Sequence, residues 1–551
     1  MNAPPSRLQP VTLLLPHKRQ SCCRSARGRP SCRSLFLLHD HASPPVMAAL
    51  PSHRSGCLSV RSHRRTRGHR AAPQSLSWPA RPLAALRASS PRVRRELPAC
   101  AGPLHGRLLL LFLRGRRKDD YRISIHHHVF QSFTDNQGNL KDTLHADVRA
   151  LLALYEAAHL GTPKEQFLIK AQKQTISLLT SMVDHLERPL SNKVRHALQT
   201  PSFRRMKRLE ARLYIPLYEE DKEECNELVL ELAKIDFYLL QRIHREEVRE
   251  ICEWYHGLES PRKLFYARHR PTEAYFWALG VYYEPQYAKA RKLLAKFIAT
   301  ITPYDDTFDN YGIWEELEPF ANVMQRWNMK DVEQLGECYR DFAHFMFSTM
   351  IEIENALPED VARRNVDTIR DIINKVCKGY VTEIGWRDNK YIPPLEEHLK
   401  VTLITCFYWG INCTAFVVFE ENITEEILKW MTDFPQIVKD SCIISRLMDD
   451  IVAHAFETER NNVSTAVTCY MKEHKATKEE ASEVLWNEVE NAWKSMNHEY
   501  LTSTSIPSTL LIGVINLARM METMYKNIDG YTDSKILKKW IHTLLDEPIL
   551  F

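Results

Sequence analysis

The sequence predicts an all-α protein, and three observations carry that expectation. Glycine is scarce, at 17 of 551 residues, which is below average usage. After residue 118, apolar residues recur at three- and four-residue spacing, as on one face of a helix. No strand-like alternation is sustained anywhere. A hydrophobic content of 44% supports a sizeable core. The longest uninterrupted apolar run, Leu108 to Leu113, is far shorter than the ~18 residues of a spanning helix, so no membrane span is expected.

Taken in order, the chain opens on residues 1–118, a leader rich in Arg, Pro and Ser. It holds 21 Arg and 2 Lys against 1 Asp and 1 Glu. It shows no period of a helix or a strand, and disorder is expected there. An Arg- and Ser-rich, acid-poor composition resembles a plastid transit peptide. Non-coding sequence translated from a misplaced gene start would look the same. The remaining 433 residues hold 51 basic and 67 acidic side chains. Such an acidic body is a poor partner for nucleic-acid phosphates.

Residues 119–240 read as an N-terminal helical domain. Val148, Leu151, Leu152, Leu154 and Tyr155 mark one amphipathic helix, and others follow over Phe167–Leu186 and Asn226–Glu250. No constellation there looks catalytic. An Asp-x-Asp-Asp acid motif, which would point to protonation-initiated cyclisation, is absent from the chain. Residues 241–551 read as a C-terminal catalytic helical domain. Ser260-Pro261 and Arg270-Pro271 supply helix starts. Leu293, Leu294, Phe297, Ile298 and Ile301 stripe the helix that follows. Residues 326–334 read as a loop and helix start, and helices continue almost to Phe551. The eight cysteines beyond residue 118 form no Cys-x-x-Cys pair and are expected as free thiols in a reducing compartment. The sequons at Asn412, Asn422 and Asn462 are read as chance, since no secretory signal peptide opens the chain.

Chemistry concentrates at the end of that striped helix, in Ile301-Thr302-Pro303-Tyr304-Asp305-Asp306-Thr307-Phe308-Asp309. Asp305 and Asp309, at i and i+4, would share a helical face. Neighbouring carboxylates repel unless a cation lies between them. A hard ion such as Mg²⁺, completed by substrate phosphates, is the usual answer. A solvent-facing acidic helix end would show the same letters, and the motif also arises by chance. Downstream, Asp449, Ala453 and Glu457 are spaced to share a face, and Arg446 stands one turn before Asp449. Arg446 could grip a phosphate in bidentate fashion, or simply pair with Asp449 on an exposed helix. Arg268 and Arg270 flank His269 in a loop and could hold one anion together. His269 is assigned no role. Tyr275, Phe276, Trp277 and Tyr531 could shelter a carbocation, although most aromatics at such positions are core.

Together these residues carry a resemblance. From about residue 121 to 551 the chain resembles the plant class I terpene synthases, above all the angiosperm sesquiterpene synthases. Asp305 to Gly312 resembles their aspartate-rich motif, Asp449 to Glu457 their second metal motif, and Arg268-His269-Arg270 their paired-Arg motif. Tyr275-Phe276-Trp277 resembles the aromatic run after it. The resemblance implies a catalytic helical bundle preceded by a relict helical domain without a site of its own. It implies metal ligation by Asp305, Asp306, Asp309, Asp449 and Glu457, with three Mg²⁺ expected and Mn²⁺ as a substitute. It implies diphosphate binding at Arg268, Arg270, Asp305, Asp309, Arg446 and Asp449. Catalytic roles fall to Arg268, Arg270, Arg446, Trp277, Tyr531 and Asp529. The loop around Asn527–Ser534 is expected to close over the site, and the helix around Thr405–Thr414 to line the pocket.

Three departures stand out. Ala453 lies where the family has Ser, Thr or Gly, and Ala cannot ligate through a hydroxyl. Pro303 removes a helix donor and is expected to kink that turn. The Arg-Arg-x8-Trp signature is missing, since no Trp occurs between Trp78 and Trp254. The start of the relict domain is thus lost or replaced. The leading expectation is a sesquiterpene synthase acting on farnesyl diphosphate. A monoterpene synthase using geranyl diphosphate, an impaired relic and a helical scaffold are the alternatives. A prenyl diphosphate is the expected partner of a cytoplasmic monomer, with the plastid as the address if the leader is a transit peptide.

Overall fold

In the computed structural model the described residues are 133–135, 139–419, 423–460 and 464–551, with the side chains of 260, 310, 360–365 and 456–460 set apart. The leader, 1–118, lies outside them. Helices account for the architecture; one isolated bridge joins Thr134 to Leu140, and no strand forms among the described residues.

Helices α1 (Val148–Ala158), α2 (Gln166–Met182) and α3 (Leu190–Gln199) enclose a cluster of their own. Leu151, Leu154, Leu179 and Val194 are fully buried in it. Asp147 starts α1 by accepting the Ala150 N–H at 2.9 Å, a side-chain cap for an orphan donor. Helices α4 (Lys207–Glu220) and α5 (Glu227–Gly257) follow. Their buried Leu209, Ile215, Leu230 and Phe237 belong to the second, larger cluster, which runs from Met206 to Ile549. α5 passes unbroken through Gln241, where a domain boundary was expected from sequence. The apolar boundary falls earlier, between Ala197 and Met206.

Polar contacts tie the two clusters. Arg204, 4% exposed, donates to both carboxylate oxygens of Glu490. Asn497 Nδ2 donates to the carbonyls of His159 and Gly161. Asp221 accepts from Arg149 and Lys193.

The larger cluster is built from α6 (Pro271–Val281), α7 (Ala288–Asp306), α8 (Trp314–Arg326), α9 (Glu337–Ala356), α10 (Glu359–Asp388), α11 (Leu395–Thr405), α12 (Tyr408–Val418), α13 (Glu425–Thr432), α14 (Gln436–Arg460), α15 (Ala466–His474), α16 (Lys478–Thr502), α17 (Ser508–Met524) and α18 (Lys535–Leu545). Helices α6, α7, α12, α14 and α17 touch in succession, and α17 returns to α6, closing a ring. α10 packs across α11 and α12 beside it. Every residue of α6 from Ala274 to Val281 is buried, as befits a helix apolar on all sides.

The stretch Leu395–Val418 is apolar enough to pass for a membrane span by composition, yet 83% of that window is buried inside the protein. It also breaks at Cys406–Phe407, where Phe407 takes φ 60°. Gly379 of α10 permits the close approach there, since a Cβ would meet Thr405 Cγ2 at 2.5 Å.

Candidate active site

The α geometry of α7 survives Pro303 and ends three residues later. Thr307–Tyr311 then form a π turn, in which the Gly312 N–H reaches back to the Thr307 carbonyl at 2.9 Å. The irregularity expected at Pro303 thus falls at Thr307, whose hydroxyl donates to the Pro303 carbonyl. Single π turns are frequent at functional sites. Four residues of a π turn fall short of a full revolution by about as much as four residues of an α turn overshoot it. Asp305 and Asp309 therefore keep to one side, and both act on Tyr380. Asp309 is half-buried on the π turn.

Asp305 is held from two sides. Its Oδ1 accepts from the Tyr380 hydroxyl, and its Oδ2 from Arg268 Nη2 at 2.9 Å. Asp306, which the resemblance places among the metal ligands, points away from Asp305. Its side chain is 4% exposed, and both oxygens face Arg268, one on the backbone N–H at 2.7 Å and one on Nε at 2.8 Å. Adjacent residues on a helix point about 100° apart, so Asp306 turns inward where Asp305 faces the cleft. Burial, despite Arg268, holds the Asp306 carboxyl above its usual range. For Arg268, burial works downward, yet Asp306 and Asp305 raise the guanidinium above its ordinary value.

Arg268 and Arg270 also secure the loop after α17. Arg268 Nη1 donates to Thr532 Oγ1 at 3.0 Å, and Arg270 donates to the carbonyls of Tyr531 and Thr532. Asp529 Oδ1 accepts the N–H groups of Tyr531 and Thr532, at 3.0 and 2.9 Å. Gly530 is required in this turn: its N–H donates to the Met524 carbonyl, and a Cβ would stand 2.8 Å from that oxygen. The loop expected to cover the site is therefore pinned to the arginine pair.

On α14, Arg446 pairs with both Asp449 and Asp450. Asp450 is fully engaged elsewhere too, accepting from the Ala466 N–H and lying 3.3 Å from His398. Asp449 faces the cleft, with 29% of its side chain open but protein on most sides. Burial pushes its carboxyl up to about 7, Arg446 opposes this, and Asp529, Asp450 and Asp305 add to the push. The two carboxylate groups from α7 and α14 thus act on each other across one cleft. Ala453, one turn on, is 9% exposed and brings no oxygen. Glu457 lies on α14, but its side chain is outside the described residues.

Below the charged rim the wall is aromatic. Trp277 meets Tyr531 edge-on at 5.2 Å and Tyr408 at 6.0 Å between centroids. The Tyr531 hydroxyl contacts Thr302 Oγ1 at 2.6 Å. Trp277 Nε1, Tyr408 Oη and Arg446 Nε are buried without a hydrogen-bond partner. Such atoms are costly unless something else meets them.

Sequence reasoning missed Tyr380, Thr302, Tyr408 and Glu383. Glu383 is 8% exposed, accepts from the Thr405 hydroxyl, and is pushed up by burial within reach of Arg446 and Asp305. Tyr408 lies in the stretch 405–414 expected to line the pocket, in a helix buried on all sides, while Thr302, Tyr380 and Glu383 carry no spacing signal and only tertiary packing reveals them.

Among the described residues no three carboxylate, imidazole or thiolate groups converge tightly enough to enclose a metal ion unaided. The donors on offer are oxygens, from Asp305, Asp309 and Asp449. They suit a hard divalent ion that fills its remaining positions with water and substrate oxygens. The repulsion felt at Asp449 is what such an ion would relieve.

The profile described as "terpene synthase family, metal binding domain" matches residues 256–495. The profile "terpene synthase, N-terminal domain" matches residues 116–198. The chain is 38% identical over 434 residues to (−)-germacrene D synthase of Vitis vinifera, covering 79% of this chain and 77% of that one. It is 39% identical to (+)-delta-cadinene synthase isozyme XC1 of Gossypium arboreum over 434 residues, 79% of this chain and 78% of that one. Among solved structures, isoprene synthase from grey poplar, in complex with three Mg²⁺ ions and dimethylallyl-S-thiolodiphosphate, is similar with a TM-score of 0.76. It is 28% identical, over 85% of this chain and 88% of that one.

Proposed function

The chain belongs to the terpene synthase family, and from that premise we propose that it ionises farnesyl diphosphate and cyclises or rearranges the cation to a sesquiterpene. One observation carries the reading. Carboxylates of α7 and α14, with Arg268 and Arg446, meet at one cleft above the Trp277–Tyr408–Tyr531 wall. The relatives named as germacrene D and cadinene synthases favour a C15 substrate.

Divalent metal dependence follows from the family. We propose Mg²⁺ as the metal and three as the number, held by Asp305, Asp309, Asp449 and Glu457. Bound there, such ions would neutralise the diphosphate and make it a better leaving group. The chain's own residues do the rest. Arg268, Arg270 and Arg446 take up the charge that develops on the diphosphate as the allylic C–O bond breaks. Trp277 offers its ring face to the cation. The loop pinned by Asp529 and the two arginines keeps water out. The sequence then ends in loss of a proton or capture by water.

The test incubates the full chain with farnesyl and geranyl diphosphates, with and without Mg²⁺, and analyses products by gas chromatography–mass spectrometry. Mg²⁺-dependent C15 product supports the reading. C10 product alone moves it to the monoterpene class. Ala453 favours one further reading, a relic that binds diphosphate without turnover. That reading predicts binding without product, and recovery in Ala453→Ser.

A further inference from the structure

The loop 527–534 is held at two places, and the chemistry proposed above uses only one of them. Its far part is gripped by Arg268 and Arg270, the groups that meet the diphosphate. Its root is gripped from the segment between α3 and α4. Lys526, the residue before the loop, donates to Thr200 Oγ1 at 2.9 Å and to Glu522 Oε2 at 3.0 Å. Thr200 directly follows α3. Its hydroxyl donates to the Gln199 carbonyl at 2.7 Å, which fixes its orientation and leaves an oxygen lone pair for Lys526.

This contact ends a continuous seam. The Phe203 carbonyl accepts from Arg519 Nε of α17, and the same guanidinium lies over the Phe203 ring at 4.7 Å. Arg204 grips Glu490 of α16 and stands 3.7 Å from Glu522 of α17. Arg519 and Glu522 share one face of α17, and Lys526 joins them just past the helix end. The side chain of Glu522 is 6% exposed, so Lys526 answers a nearly buried carboxylate, where charge-assisted hydrogen bonds are strongest. Only Asn527 and Ile528, both exposed, separate Lys526 from Asp529. A shift at Lys526 therefore passes to the turn that Asp529 caps, and to Tyr531 of the aromatic wall.

We propose that Thr200 and Lys526 are positioning residues for the reaction. The segment between α3 and α4 fixes the root of the loop, so that the arginine pair closes its far part over the diphosphate in one register. The inference rests on the reading of the cleft as a diphosphate site closed by this loop.

Hydrogen–deuterium exchange over residues 526–534 of the full chain, with Mg²⁺ and inorganic diphosphate, tests it without turnover. Exchange is expected to be slow in the unaltered chain and in Thr200→Ser. It is expected to be about 5- to 10-fold faster in Thr200→Val and in Lys526→Met, the opening set by one lost hydrogen bond to a charged group. Adding Thr200→Val to Lys526→Met changes nothing further, since both remove one contact. With farnesyl diphosphate, Thr200→Val lowers kcat by a similar factor at a KM within about two-fold, and the water-captured share of product rises. Arg149→Gln, which cuts the tie to Asp221 elsewhere between the two clusters, leaves the loop as it was. The proposal is overturned if Thr200→Val leaves exchange unchanged, if Thr200→Ser behaves like Thr200→Val, or if Arg149→Gln opens the loop equally. A loop that exchanges fast in the unaltered chain despite the diphosphate overturns it too. So does faster exchange with unchanged kcat and products, which makes the contact structural only. A chain that makes no terpene while its loop responds as expected loses the C15 reading and keeps the loop-root contact.

Discussion

Asp306→Asn separates two readings of the aspartate cluster. Letters alone place Asp306 among metal ligands; the structure makes it the counter-ion of Arg268, with both oxygens committed at 2.7 and 2.8 Å. Asparagine fits the space but presents an amide NH₂ to one of two donors. One charge-assisted hydrogen bond is lost, worth about 1.5–3 kcal/mol. Removing one partner of a buried pair can cost about 3–5 kcal/mol. Arg268 keeps Asp305 at 2.9 Å and is itself 25% exposed, so about 2–3 kcal/mol is expected. Urea unfolding of the full chain reads that loss. Kinetics should show kcat/KM down on the order of 10- to 100-fold as Arg268 loses its fixed position. The Mg²⁺ concentration for half-maximal rate should move less than about two-fold, because no metal donor has been removed. Asp305→Asn should behave the opposite way, with little loss of stability and a metal requirement raised more than about 10-fold. If Asp306→Asn instead raises the metal requirement and leaves stability unchanged, Asp306 is a ligand and the counter-ion argument is wrong.

Tyr380→Phe removes the hydroxyl that orients Asp305 while keeping the ring stacked on Phe308; a loss of about 1–2 kcal/mol in stability is expected, with kcat/KM falling on the order of 10-fold and KM nearly fixed. Asp440, 2% exposed, has its carboxyl pushed up to about 6 by burial, against the opposing hydrogen bonds of Ser495 and Gln436. A raised carboxyl pKa lends stability below the unfolded value near 3.8 that is lost as pH rises through about 6. Asp440→Asn should therefore stabilise by on the order of 2–3 kcal/mol at pH 7 and by nothing near pH 3.5; urea midpoints at both pH values decide it. Glu490 runs the other way: burial would raise it, but Arg204 holds it down to about 2. Its contribution is present at neutral pH and fades as pH falls from about 4.5 towards 2. Glu490→Gln should cost about 1–2 kcal/mol at pH 7, discounted because a third of the side chain meets water, and the deficit should vanish at low pH.

Much of the site was legible in the sequence because spacing on a helix is a strong geometric code. Asp449 and Arg446 came out where a regular helix puts them. Arg268, Arg270 and Tyr531 converge as the motif order implied, with Asp529 turned to cap their loop. Less legible was what departs from helical regularity. Residues 307–311 take a π turn that no periodicity announces. Asp306 entered the metal set through the resemblance alone; in the structure its carboxylate turns to Arg268, since successive side chains on a helix diverge. Tyr380 was invisible, since its partner Asp305 lies 75 residues earlier and only the packed fold brings them together. The boundary read at 240/241 falls inside α5, one long helix whose apolar residues serve the later core.

In the proposed function the diphosphate meets guanidinium groups that are already engaged. Each cleft guanidinium is already paired, Arg268 with Asp305 and Asp306, Arg446 with Asp449 and Asp450. An incoming diphosphate must compete for these donors. At Arg268 the competition is divided by atom. Nη2 faces Asp305 on the rim and Nη1 faces Thr532, while Nε and the backbone N–H are kept by buried Asp306. Substrate oxygens can therefore displace the rim contacts without loosening the arginine. At Arg446 the division is similar: exposed Asp449 can yield, while buried Asp450, fixed by the Ala466 N–H, keeps its grip. In both places one buried aspartate holds the cation in position and its neighbour gives way. On the proposed reading Asp306 and Asp450 position the two guanidinium groups, and Asp305 and Asp449 are the contacts that yield to substrate.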